Sequence, residues 1–301
     1  MDNRADIRDF LATRRARLTP EQVGLPAGGG RRRVAGLRRE EVAVLAGVST
    51  EWYVRLEKGH ISGVSDDVLD AVARALHLDD EERGYLFDLA RAARPSRPAP
   101  RRRTSAEVPA GMQWLLDSMT MSAAFVNNDR LEVLAANALG RAMYAPMFTG
   151  PSLSPNGQPS FARFNFLDPG ARDFYADWDA AADTTAALLR AEAGRHPNDK
   201  VLRELIGELS TVSHEFRSCW AQHNVRLRHG GVKRFHHPTV GALELTYYSS
   251  RVDISAHTAY TLTTYTAEPG SVTEERFRLL ASWAATEQPV DVRTAQETRR
   301  E

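Results

Sequence analysis

At 301 residues the chain has room for about two domains, and with 42% hydrophobic and 26% charged residues it can bury a sizeable core, which excludes a wholly disordered protein. No stretch approaches the roughly 20 apolar residues of a membrane span, the opening MDNRADIRDF predicts no secretory signal, and the single cysteine, Cys219, excludes an internal disulfide framework. The net charge of zero hides an asymmetry: residues 1–103 carry 20 Lys and Arg against 16 Asp and Glu, residues 104–301 carry 19 against 23. Eight arginines and one acid lie between Arg14 and Arg39. Basic density of that kind points to a polyanionic partner and, with no leader, to a cytoplasmic protein.

The first 93 residues read as helical throughout. Asp6 to Arg17 places Ile7, Phe10 and Leu11 at helical spacing. Short helices follow at Arg38–Ala46 and Ser49–Lys58, then one capped by Ser65 and one opened by the acids Asp79 to Glu82. Between the first two helices lies an insert holding Gly28-Gly29-Gly30 and Arg31-Arg32-Arg33, read as an arm that tracks phosphates.

Leu37 to Gly59 carries the most specific pattern. Gly47 ends one short helix where a sharp turn needs positive φ, Val48 plugs the angle, and the Ser49 hydroxyl caps the next helix. With Val42, Tyr53 and Leu56 turned inward, the second helix offers Thr50, Glu51, Trp52 and Arg55 outward near its N-terminus, the end that meets base edges.

Residues 94–108, with three prolines and five arginines in the twelve from Arg94 to Ser105, read as an extended linker. Beyond it the expected order is a helix over Met112–Met119, then a hairpin of Ala123–Val126 and Leu131–Leu134 about Asn127–Asp129. A Pro/Gly/Ser-rich loop covers Pro146–Ser160, and helices are expected at Ala138–Met147, Ala176–Ala193, Val201–Ser210 and Glu215–Gln222. Strands follow at Val225–Arg228, after a Gly230-Gly231 turn at Val232–His236, at Ala242–Tyr248 and at Thr258–Ala267, with a last helix over Val272–Ala285. The fold class is α+β overall: an all-α five-helix domain (1–93), a linker (94–108), an α+β domain with an antiparallel sheet (109–286) and a polar tail (287–301).

A helix-covered sheet makes the space between its layers a natural ligand site. Phe125, Tyr144, Met147, Phe164, Phe166, Trp178, Trp220, Phe235, Tyr247 and Tyr265 are candidate apolar walls or plain core, and Arg217, His223 and His237 are candidates for a polar head group. Five histidines between 214 and 237 lack any metal-ligand spacing, and His236 and His237 on one strand point to opposite faces. No GxSxG, paired catalytic carboxylate or nucleotide motif appears, so neither catalysis nor a cofactor is expected.

Leu37 to Gly59 resembles the lambda-repressor-like helix-turn-helix family in its XRE form. The resemblance implies a backbone contact from Arg39, base-reading by Thr50, Glu51, Trp52 and Arg55, and a phosphate contact from Lys58; Arg38, Ser49 and Arg31, Arg32 and Arg33 are further candidate DNA contacts. Arg55 suits a bidentate guanine contact and Glu51 a cytosine amine. Leu18 to Pro26, Arg31 to Val42, Gly194-Arg-His-Pro, Trp220 to Val225, His237 to Leu245 and Tyr265 to Ser271 look like the MmyB-like regulators. That resemblance implies a PAS-like ligand-binding domain whose pocket holds an apolar ligand such as a fatty acid. The expectation is a homodimeric, sequence-specific, ligand-responsive transcription regulator on a pseudo-palindromic operator; the alternative is a DNA-tethered metal-dependent or acyl-modifying enzyme.

Overall fold

The computed structural model describes residues 3–26, 34, 36–93, 108–225, 229–255 and 258–286. In chain order the elements are α1 (Asn3–Arg17), α2 (Arg39–Ala46), α3 (Thr50–Glu57), α4 (Asp66–Ala75), α5 (Asp80–Ala93), α6 (Ala110–Ser118), β1 (Ala123–Asn127), β2 (Val133–Ala136), α7 (Ala138–Met143), α8 (Phe161–Leu167), α9 (Ala171–Phe174), α10 (Trp178–Arg195), α11 (Lys200–Val212), α12 (His214–Ala221), β3 (Gly230–His237), β4 (Gly241–Ser255), β5 (Thr258–Ala267) and α13 (Val272–Thr286). They pack as two compact units, one of Met1–Arg102 with Asp179–Leu227, the other of Arg103–Trp178 with Arg228–Glu301.

In the first unit, Ile7, Phe10 and Leu11 of α1 meet Val42, Tyr53, Leu56, Leu69, Val72, Leu86 and Leu89 in one core. These are the inward positions that helical periodicity selects. The sequence reading groups 179–225 with the second domain, whereas packing groups it with α1–α5, and the reason is polar as well as apolar. Val225 is buried in that core. Arg14, 3% exposed, pairs with Glu82 at 2.8 Å and donates to the His223 carbonyl at 2.6 Å. Arg17 donates to Asn224 Oδ1 at 2.7 Å. Arg195 of α10 reaches Asp88 of α5 at 3.2 Å. The carbonyls of Gln222 and His223, which follow α12, thus accept guanidinium groups from α1.

The second unit is built on an antiparallel sheet of order β2-β1-β5-β4-β3. Its registered rung Gly231–Tyr247–Tyr265–Ala123 sets two tyrosines between two small residues. Phe125, Tyr265, Phe235 and Tyr247 stand on one face, where Tyr144, Phe161, Phe164, Phe174 and Tyr175 complete a ring cluster with centroids 5–6 Å apart, mostly edge-to-face. Leu116 of α6 packs on the other face against Ala124, Val126, Ala135 and Tyr260. Asn137 joins these parts: its Oδ1 accepts from Ala124 N and Gly140 N, and its Nδ2 donates to the Met119 and Ser122 carbonyls.

Two expectations are corrected. Gly230-Gly231 is no turn; both glycines lie inside β3, paired with Tyr248 and Tyr247. A Cβ on Gly230 would fall 2.9 Å from the Tyr248 ring, so the missing side chain makes room for an aromatic neighbour. Val225 forms no strand and is buried in the helical core; residues 226–228 of the strand expected there lie outside the described residues. The loop 146–160 holds short 3₁₀ turns, and the helices α8 and α9 follow where no periodicity announced them. The arm residues 27–33, most of the linker and the tail lie outside the described residues.

Candidate nucleic-acid interface and ligand-binding domain

The turn between α2 and α3 is made by backbone chemistry. Gly47 sits at φ +67 and its N–H bonds to Val44 O, while Val48 N–H bonds to Ala43 O. Ser49 Oγ accepts from Trp52 N at 3.1 Å, fixing the first turn of α3. At the start of α2, Glu41 reaches back to accept the Arg38 N–H at 2.6 Å.

This framing leaves Arg38, Arg39, Ser49, Thr50, Glu51, Arg55 and Lys58 exposed on one surface. Trp52 is half-buried and packs against the core. Two shallow depressions flank α3. One, of about 410 Å³, is lined by Arg15, Val34, Arg38, Arg39, Glu40, Thr50 and Val54. The other, of about 340 Å³, is lined by Trp52, Arg55, His60, Ser62, Gly63, Val64, Ser65 and Val68. Arg31, Arg32 and Arg33 lie outside the described residues.

A buried carboxylate organises the floor of this surface. Glu57, 1% exposed, accepts from Arg15 Nε and Nη2 on its two oxygens, each at 3.0 Å. Arg39 bonds the same group through Nε at 3.1 Å and Nη2 at 2.9 Å. Burial alone pushes the Glu57 carboxyl up, and the hydrogen bonds from Arg15 and then Arg39 more than reverse this, so it ends below its ordinary value. Arg39 is therefore held by one edge of its fork while half of its side chain remains open to solvent. Sequence reading saw Arg39 and missed its partners; Glu57, on the buried face of α3 beside Tyr53 and Leu56, was the available signal.

The candidate ligand residues divide between the two units. Phe125, Tyr144, Met147, Phe164, His237 and Tyr265 of the second unit are all buried. Trp178 is half-buried, stacked under Arg172 at 4.0 Å, with its Nε1–H on Asn165 O. Three phenol hydroxyls meet inside the ring cluster, Tyr175 donating to Tyr144 at 3.4 Å and Tyr144 lying 3.3 Å from Tyr265. Burial, then the neighbouring phenols, hold Tyr144 well above the ordinary phenol value, and burial, then Tyr265, do the same for Tyr175, so both stay protonated. Lys233, half-buried, rests its ammonium over the Tyr247 ring at 4.7 Å.

His237 has both nitrogens engaged. Nδ1 accepts from Thr239 N and Val240 N, so Nε2 carries the proton and donates to Ala142 O at 3.1 Å. Burial holds it neutral, below its ordinary value. Arg217, Trp220 and His223 belong to the first unit. Arg217 is exposed, donating to Ser210 O at 2.8 Å and Thr211 O at 3.3 Å. Trp220 stacks on Phe216 at 5.4 Å. His223 takes φ +52, and burial, then Arg190, lower its pKa to about 4, leaving it neutral at pH 7.

Among the described residues no helix is long and apolar enough to cross a membrane. No curated protein matches the chain. Residues 7–86 match a family model described as a helix-turn-helix domain. Residues 108–280, a span that takes in α10, α11 and α12, match the MmyB-like transcription regulator ligand binding domain. That second match covers more than half of the 301 residues. The chain therefore belongs to the MmyB-like transcription regulators, DNA-binding helix-turn-helix proteins rather than enzymes, each with a ligand-binding domain behind the DNA reader.

Proposed function

We propose that this protein binds a specific, pseudo-palindromic DNA operator as a homodimer and changes that binding when its second domain takes up a small apolar ligand such as a fatty acid. The observation that carries the DNA half is the exposed N-terminal face of α3, with Thr50, Glu51 and Arg55 outward and Arg38, Arg39 and Lys58 around them. Arg55 reads a guanine, Glu51 a cytosine amine, and Arg38, Arg39, Lys58 and the arm Arg31–Arg33 neutralise phosphates; Ser49 and Trp52 hold the reading helix in place. One such helix discriminates too weakly against a genome of competing sites, which is the reason for a two-fold pair. The ligand half is supported by the matched domain and by the aromatic face of its sheet, where Phe125, Tyr144, Met147, Phe164, Trp178 and Tyr265 supply apolar wall. Trp220 adds aromatic surface in the first unit; Arg217, His223 and His237 remain polar candidates, although His223 and His237 are neutral.

The test is selection of an operator from a random duplex pool by the full chain, followed by fluorescence anisotropy across a salt series. Arg55→Ala is expected to relax preference at one base pair, at a cost of about 1–3 kcal/mol. Lys58→Ala is expected to weaken binding to all sequences alike and to reduce the salt slope by about one. Salt-independent binding, or unchanged base preference in Arg55→Ala, refutes the assignment. Native mass spectrometry of the purified chain reports the subunit number and any co-purified apolar ligand together.

A further inference from the structure

Among the described residues, two arginines of the first unit are almost wholly buried, and they are treated differently. Arg14 has the Glu82 carboxylate at 2.8 Å. Arg190, on α10 and 1% exposed, has no carboxylate within ion-pairing distance among the described residues. Its Nη2 donates to the Trp220 carbonyl, and its Cζ lies 4.0 Å above the Trp220 ring. Its Nη1 is shut off from solvent and has no hydrogen-bond partner.

A buried guanidinium without a counter-charge is costly; a carbonyl and an aromatic face recover only part of its lost hydration. The chain does not complete the pairing with acids nearby. Glu82 is taken by Arg14 and Asp88 by Arg195. Tyr85 of α5 and His223, both close enough for Arg190 to shift their titration, are neutral groups. Both can accept a hydrogen bond, and Tyr85 shares one with Arg190, but neither brings negative charge to the Nη1 edge.

We infer that Arg190 is the anion-recognising residue of this regulator, its free Nη1 edge taking the carboxylate of a monoanionic ligand in the first unit, beside α12 and Tyr85. A planar guanidinium fork suits a carboxylate geometrically. A single desolvated cation balances one negative charge, so a dianionic phosphate is disfavoured. The site departs from the head-group candidates Arg217, His223 and His237: Arg217 spends its guanidinium on two carbonyls, and neither histidine carries charge at pH 7. The inference rests on the apolar-ligand reading only for the choice of an alkyl carboxylate as probe. Because Tyr85 belongs to the helical body that carries α3, a carboxylate at Arg190 is sensed inside the DNA-binding unit.

Isothermal titration of the full chain with decanoate, decanol and acetate tests this. Decanoate is expected to bind at least about tenfold tighter than decanol, the increment of one charge-assisted pair. Arg190→Met is expected to erase that preference while leaving decanol binding unchanged. Arg190→Lys, which keeps the charge and loses the fork, serves if the methionine variant does not fold, and is expected to show a reduced preference. A preference that is absent in the wild type, or survives intact in these variants, overturns the assignment and leaves the apolar-ligand reading standing. Acetate bound by the wild type and not by Arg190→Met, with decanol unbound, supports the anion site and removes the apolar reading. Binding of none of the three overturns both.

Discussion

Glu57→Gln is expected to destabilise the first unit by about 3 kcal/mol at pH 7, near the lower end for breaking a buried ion pair. Arg15, whose side chain is only 15% exposed, loses the carboxylate that accepts two of its N–H groups and is left as a largely buried charge. Arg39 is half open to water, so its share of the loss is discounted by solvent screening. In a unit of this size the change corresponds to a melting temperature lower by roughly 6–12 °C. The pH dependence carries the sign. The folded carboxyl titrates below its ordinary value, so the stability it contributes is fully present above the ordinary carboxylate range and is lost as pH falls through the folded value. The gap between wild type and Glu57→Gln is therefore constant from pH 7 to about 5 and closes in more acid solution. Denaturant titrations at several pH values measure it; a gap that widens on acidification contradicts the ion-pair account. The same substitution frees Arg39 from its anchor at the DNA-reading surface, so operator affinity is expected to fall even where the protein remains folded.

The parts of this molecule legible from sequence are those fixed by local rules. Gly47 with Ser49 two residues on specifies a left-handed turn and a cap, and both are present. The inward residues of α1–α5 follow from spacing alone, because a small helical domain buries one stripe of each helix. The outward face of α3 follows by subtraction. What the sequence hides is set by long-range neighbours. Gly230-Gly231 carries the composition of a turn, yet the rings of Tyr247 and Tyr248 decide that it is strand. In α10, Ala186, Ala187, Leu189, Arg190, Ala191 and Ala193 are all buried, so no polar stripe exists against which to judge that Arg190 points inward. Glu57 falls on the inward side of α3 beside Tyr53 and Leu56, but the cations that meet it come from positions 15 and 39, which local spacing does not select. The grouping of 179–225 with the first unit rests on contacts between residues more than a hundred positions apart, such as Arg195 with Asp88, which no periodicity encodes.

Gly194 and Gly207, both helical, are expected to respond to alanine with opposite signs. In a helix interior the exchange ordinarily gains about 0.5–1 kcal/mol by removing backbone freedom from the unfolded chain. Gly207 on α11 has no heavy atom within 4 Å of an added Cβ, so Gly207→Ala is expected to realise that gain. At Gly194 the added Cβ would lie 2.4 Å from Tyr85 Cε2 and 3.0 Å from Cδ2. The Tyr85 ring is itself 4% exposed and set edge-on against Phe10 at 5.1 Å, so it has nowhere to swing. Overpacking of this kind costs about 1–3 kcal/mol, which outweighs the helix gain, and the β-branched Gly194→Val is expected to lose about 3 kcal/mol or more. Hydrogen exchange locates the damage: amides of α5 and α10 should open together in Gly194→Val, while those of β1, β4 and β5 keep their protection. Faster exchange in α10 alone would mean that the residue-179 to residue-225 segment is not cooperative with the helix-turn-helix core. Joint opening means that a change received by these helices of the ligand-binding family segment is felt directly by α5, and through the shared core of Phe10, Leu11 and Leu56 by the helix that carries Arg55.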